Sequence, residues 1–179
     1  MELCRSFPLA EGILLGFADA LGGALAAYQN HVSRVLSFYR VLAGEGDEGP
    51  ATVLIAAAFH DLGIWVEGTF DYLGPSRRLA CDYLATNGLE GIAPEVEAII
   101  QHHHKLTPYR GPFAATVETF RRADLVDVSL GVICCGVPRA YVRAVKAAFP
   151  NAGFHRRLIA LTARQTLRDP LRPLPMVHW

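Results

Sequence analysis

No stretch of this 179-residue chain alternates apolar and polar residues over a sustained run, and no Asn-Gly or Asp-Gly pair stands between two such runs. Strands and hairpins are therefore not expected, and the fold class indicated is all-α. Net charge is missing as well. Seventeen basic residues offset seventeen acidic ones, so the whole molecule has no field of the kind that gathers nucleic acid or an anionic membrane. The apolar run from Val53 to Phe59 is far shorter than the ~20 residues that span a bilayer, and it ends in His-Asp. Cys4, Cys81, Cys134 and Cys135 form no CxxC spacing, and an adjacent pair is a poor start for a disulfide framework. A reducing, cytoplasmic setting fits that usage. Gly12 to Ala27 has the look of a secretory signal, yet Asp19 interrupts it and Glu2 and Glu11 dilute its positive start, so it reads as part of the mature fold. Internal repeats and low-complexity tracts are absent too.

What is present is apolar mass. Half the residues are hydrophobic and the mean hydropathy is positive, which indicates a packed globule, and the length suits one domain over 1–179. Within it the spacing predicts a core of helices over about 18–132, followed by C-terminal helices and a proline-rich tail over 138–179. Leu21, Leu25, Tyr28, Val32, Val35, Leu36 and Tyr39 recur at steps of three and four, one face of a helix over about Phe17 to Leu42. The stretch Gly44-Glu45-Gly46-Asp47-Glu48-Gly49-Pro50 ends it, and Pro50 suits the opening of the next helix. Ala51 to His60 is apolar on nearly all sides and belongs in the middle of a bundle. Gly63 to Pro75 reads as an irregular loop whose Trp65, Phe70 and Tyr72 either lid a site or pack on the bundle, with Ser76 as the cap of the helix that follows. Pro94 with Glu95 and Glu97 starts another helix that runs to His102-His103-His104. Further helices are predicted over about Phe113 to Val132, Pro138 to Phe149 and Ala152 to Leu167. From Arg139 to Arg172 the sole carboxylate is Asp169, a charge pattern that reads as a solvated basic face, with an anion-binding surface as the competing reading.

Two aspartates stand where a helix does not favour them. Asp61 directly follows an apolar helix, at the end where the dipole repels a carboxylate. Asp124 lies between Phe120 and Val128 on an apolar side, where an unpaired carboxylate is costly. A cation relieves both. His31 inside the first long helix and His60 beside Asp61 add imidazoles, and a set of two imidazoles and two carboxylates suits one divalent ion of Mn, Fe, Co, Ni, Zn or Mg with positions left open for water. Neighbouring side chains diverge by ~100° on a helix, so His60 and Asp61 reach one ion only if the last turn is loosened, which Gly63 permits.

The pieces Tyr28-Gln29-Asn30-His31-Val32-Ser33-Arg34, Ala58-Phe59-His60-Asp61-Leu62-Gly63, Ile99-Ile100-Gln101-His102-His103 and Arg122-Ala123-Asp124-Leu125-Val126-Asp127 stand in an order that resembles the HD-domain superfamily of metal-dependent phosphohydrolases. The resemblance covers positions 28 to 127. It implies an HD-domain-like helical bundle, a metal held by His31, His60, Asp61 and Asp124, and hydrolysis of a small phosphate ester or nucleotide by activated water. Family members with two metals add further histidines at separated places. Here the candidates come from one short stretch, which favours one ion over two. Leu-Gly-Ile-Trp follows His-Asp where the cyclic-dinucleotide phosphodiesterases have a lysine, which disfavours that branch.

Among the remaining residues, His102 and His103 are the expected catalytic pair, as general acid, phosphate contact or partial ligands of a second ion. The competing account is a helix C-terminus favoured by imidazolium, and His104 is expected to face solvent. Arg34, Lys105, Glu67, Asp71, Ser76 and Arg77 are candidate contacts for an anionic small-molecule substrate. Cys134-Cys135 reads as buried filler. The alternatives to hydrolysis are an HD-fold hydratase, a di-iron oxygenase, or a non-catalytic metal-binding sensor, and a homodimer is compatible with the exposed apolar residues.

Overall fold

The computed structural model describes residues 3–44 and 49–177. The expected break at Glu45 to Glu48 lies outside them. Among the described residues the chain is helical throughout, with no β-strand.

The first long helix differs from expectation. Pro8–Leu15 forms a separate helix, α1, and Ala18–Leu21 a single turn, α2. The Gly22–Ala24 segment is a tight 3₁₀ turn with Gly22 at φ 49°, and only then does α3 run from Leu25 to Ala43. The apolar periodicity continues across two adjacent glycines, but the backbone does not, because a left-handed residue breaks the helical hydrogen-bond ladder. Gly44, at φ 74°, ends α3 in the left-handed conformation common just past helix ends.

Helix α4, Ala51–Phe59, is the centre of the bundle. Val53 and Ile55 through Phe59 are fully buried, and α4 packs against α1, α3, α6 (Leu73–Thr86) and α7 (Ala93–His102). Pro50 sits at its N-cap in extended geometry, and its carbonyl accepts from the Val53 and Leu54 amides. Helix α8, Ala114–Val128, lies against α3 and α7. It turns Val117, Phe120, Ala123 and Val126 into the core.

The segment after α4 is more regular than its glycines and aromatics suggest. Gly63–Val66 makes one helical turn, α5, and α6 already begins at Leu73, so Pro75 and Ser76 lie inside its first turn. Ser76 makes no cap there. It is fully buried, and its Oγ accepts a hydrogen bond from the Gly63 amide at 3.0 Å. Gly63 is needed for closeness rather than for an unusual backbone angle: a Cβ there would lie 2.8 Å from both the Pro75 Cβ and the Tyr72 carbonyl oxygen. Phe70, Tyr72 and Leu73 then pack with Ile64 and Met176 in a small second core.

Helix α9, Arg139–Ala148, rests on α3. Helix α10, Phe154–Arg168, buries Phe154 alone and leaves its basic face in solvent. All four cysteines are free and half-buried. Among the described residues no single helix is long and apolar enough to cross a membrane.

Candidate metal centre

Two helix ends and two helix interiors converge. His31 lies within α3, His60 and Asp61 follow α4, Asp124 lies on α8, and His103 and His104 follow α7. Loosening of the chain after α4 lets His60 and Asp61 serve one place. Beyond Phe59 the backbone closes three-residue bonds, Leu62 to Phe59, Ile64 to Asp61 and Trp65 to Leu62, each 3.0 Å. The Tyr28 hydroxyl clamps this turn, accepting from the Asp61 amide and donating to the Ala58 carbonyl, both at 3.1 Å.

The imidazole tautomers follow from the outer partners. The Nδ1 of His60 donates to the Ala57 carbonyl at 2.8 Å, and that of His103 to the Ile100 carbonyl at 2.7 Å. The His31 Nδ1 donates to Asp127 Oδ2 at 2.7 Å. Burial alone would raise the Asp127 carboxyl pKa, but hydrogen bonds from His31 and Arg34 outweigh it and hold the group well below the usual carboxylate range. Asp127 is therefore an acceptor only. Each ring keeps an unprotonated Nε2, the form in which imidazole binds a cation.

These nitrogens meet. His31 Nε2 and His60 Nε2 stand 2.9 Å apart. Asp61 Oδ2 lies 3.6 and 3.5 Å from them, and Asp124 Oδ1 lies 3.8 Å from each. Donors bonded at ~2.1 Å to one ion sit ~3.0 Å apart at right angles and ~3.4 Å apart in a tetrahedron, so these spacings fit a single divalent cation. The carboxylates turn their other oxygens to a second pair of rings: Asp61 Oδ1 is 3.4 Å from His103 Nε2, and Asp124 Oδ2 is 3.5 Å from His104 Nδ1. Two overlapping donor groups result, His31 with His60 and Asp61, and Asp61 with His103 and His104.

The buried oxygens and nitrogens also test whether a cation belongs here. Asp61 Oδ1, both Asp124 oxygens and His103 Nε2 are buried with no hydrogen-bond partner among the described residues, a condition that is costly unless an ion answers it. Burial raises the Asp124 pKa to about 7, and burial lowers that of His60 to about 3. The His/Asp cluster can hold a metal ion; which ion is not fixed by these residues.

His104 is a departure from expectation. It does not face solvent; only 18 % of its side chain is exposed, and Nε2 shares a 2.7 Å hydrogen bond with the Tyr72 hydroxyl. Two of the three consecutive histidines reach the cluster because the helix ends at His102 and frees the next two rings to turn inward. His102 instead lies over Tyr109 with ring centroids 4.5 Å apart.

The expected substrate contacts have partners within the protein. Arg34 is a buried strut: it pairs with Asp127 through Nε at 2.5 Å and a second nitrogen at 2.9 Å, and donates to the Phe149 and Pro150 carbonyls. Arg77 pairs with Glu97 and Gln101, Glu67 with Arg78, and Lys105 with Thr107. Asp71 is exposed, with its amide on Thr69. Asp127, Tyr28 and Tyr72 are the supporting residues that the sequence reading did not assign. Asp127 and Arg34 had a signal, since each stands three residues after an expected ligand, on the same face of its helix.

No family model matches the chain, and no curated protein or solved structure is similar to it. What this centre can do is therefore read from its own donor atoms.

Proposed function

We propose that this chain is a metal-dependent hydrolase of the HD-domain type, acting on a small phosphate ester or nucleotide. The observation that carries the reading is the 2.9 Å approach of the His31 and His60 Nε2 atoms. Both rings spend their proton on the opposite nitrogen, so two lone pairs face each other beside two carboxylates, an arrangement a cation stabilises and nothing else nearby does. The order of the ligands along the chain supports the HD-domain assignment.

A divalent ion held by His31, His60, Asp61 and Asp124 would supply a water of lowered pKa and a Lewis acid for a phosphoryl oxygen. The chain's own residues do the rest. Asp127 and Arg34 fix the His31 ring, and the Ala57 carbonyl fixes His60. Burial alone would lower the His103 pKa, but the nearby carboxylates of Asp61 and Asp124 raise it, so the Nε2 of His103, 3.4 Å from Asp61 Oδ1, is placed to take up a proton and pass it to a departing alkoxide. Tyr72, whose phenol burial pushes well above its usual range, keeps its hydroxyl hydrogen and orients His104.

A second reading rests on the second donor group. Asp61, His103 and His104 favour a two-ion centre, which suits either two-metal phosphoryl transfer or di-iron oxygenase chemistry.

Elemental analysis of untagged protein, with His60→Ala, His103→Ala and His102→Ala alongside, tests both. Metal that is lost in His60→Ala, together with turnover of phosphate esters, supports the hydrolase. Two equivalents that fall to one in His103→Ala support the paired centre, and two irons without esterase activity favour the oxygenase. His102→Ala is expected to leave metal content and turnover unchanged. No retained metal, and none restored by dialysis against each candidate ion, sinks the proposal.

A further inference from the structure

Beside the metal centre the molecule holds a cleft of about 750 Å³, within the ~300–1,000 Å³ of small-molecule sites. Ala24 and Ala27 line one wall, Trp65 another, and α10 contributes Phe154, Arg156 and Arg157. Phe154 is 1 % exposed and stacks nearly parallel on the His31 ring, with centroids 4.1 Å apart and planes at 14°. One aromatic ring therefore separates this cleft from a metal-binding imidazole.

Three features describe an occupant. The indole nitrogen of Trp65 is buried and has no acceptor among the described residues, although its ring is held between Tyr28, at 4.6 Å, and Phe154, at 6.4 Å. A buried N–H without a partner calls for an acceptor from outside. Arg156 and Arg157 are exposed, and no ion pair of either occurs among the described residues. Their helix, Phe154–Arg168, contains no aspartate or glutamate to neutralise them. The walls between these polar groups are alanines and glycines with Leu21, Ile64 and the rings of Trp65 and Phe154, an apolar lining whose rings can stack on a flat body.

We infer that this cleft is a binding site for a small organic anion with a flat apolar body, its negative group held by Arg156 and Arg157 and its body against Trp65 and Phe154. The inference goes beyond the hydrolase reading and does not depend on it. A ligand seated there presses on Phe154, and through it on the back of His31, so occupancy couples to the metal centre.

The test uses 2-naphthoate as the probe and the Trp65 indole N–H resonance as the readout, in metal-loaded and in chelated full-length protein. Trp179 is the other tryptophan in the chain, and Trp179→Phe assigns the two signals. The expected result is a saturable shift of the Trp65 signal in both forms. Neutral 2-naphthamide should bind about five-fold or more weakly, and the exposed double variant Arg156→Glu/Arg157→Glu should bring naphthoate down to the amide's level. Ala24→Phe, which fills the cleft, should abolish the shift. A Trp65 signal unmoved by naphthoate, equal affinity for acid and amide, or binding indifferent to the arginine variant overturns the inference. Binding retained in chelated protein that hydrolyses nothing even when loaded upholds this site and removes the hydrolase reading alone.

Discussion

Two adjacent turns of α8 carry an aspartate each, and the two carboxylates live in opposite conditions. At Asp127 every oxygen is answered, by His31 on one side and by the Arg34 fork on the other. At Asp124, three residues earlier, neither oxygen has a hydrogen-bond partner. Both are buried to a similar degree, so burial does not distinguish them. Asp127 is complete within the protein, and Asp124 is left in the condition that a cation would relieve. One helix face thus carries both a satisfied carboxylate, which holds the His31 ring, and an unsatisfied one beside that ring.

The sharpest way to break this contrast is Asp124→Ala. Metal affinity should fall by more than the roughly 100-fold that a supporting residue commands, while the metal-free protein unfolds at the same urea concentration or a higher one, because an uncompensated buried carboxyl has been removed. Full metal occupancy in the variant would place Asp124 outside the ligand set. Asp127→Ala should do the reverse. Stranding Arg34 without its partner should cost about 3–5 kcal/mol in urea unfolding, and releasing the His31 tautomer should weaken metal binding about 10–100-fold. A variant with unchanged stability would mean that the Arg34 strut contributes nothing net. Replacing the pair together, Asp127→Leu with Arg34→Met, should recover much of the stability without recovering the metal affinity.

Acidity separates the two aspartates more gently. Asp127 has its pKa depressed in the fold, so the stability it contributes is present above the ordinary carboxylate range and is lost as pH falls through its depressed value. Asp124 is raised to about 7, so its contribution to the metal-free protein is complete in acid, below the unfolded carboxylate range, and is lost as pH rises toward 7. An incoming cation must displace that proton. Metal affinity should therefore drop about tenfold per pH unit below about 7, a slope to be read by competition with a chelator of known pH behaviour. His60, pushed down to about 3, should add no proton of its own in that range. A flat profile between pH 5 and 7 would mean that Asp124 carries no proton before the metal arrives.

Much of this was legible beforehand, for identifiable reasons. The helix starts at Pro50 and Pro94 follow from proline's fixed φ, and the central position of α4 follows from a segment with no polar side. Asp61 and Asp124 announced themselves as carboxylates in the wrong place. What escaped notice depended on contacts between distant segments. Asp127 is an ordinary helix aspartate until Arg34 and His31 are folded against it. Ser76 resembles a cap until Gly63, thirteen residues earlier, approaches it. The inward turn of His104 depends on where α7 ends, and the break at Gly22 depends on a backbone angle that apolar spacing does not report.

The packing of α3 on α8 also sets the order of events during synthesis. His31, His60 and Asp61 are made early, but Asp124 and the Asp127 that steadies His31 arrive only with α8, nearly a hundred positions downstream of His31. A growing chain that has not yet docked α8 holds three of the four candidate ligands, and its His31 tautomer is not yet fixed. Completion of the four-residue candidate set therefore waits for the long-range closure of α8 on α3, the kind of contact that forms slowly in folding, and a cation held by all four residues would report that the bundle is complete.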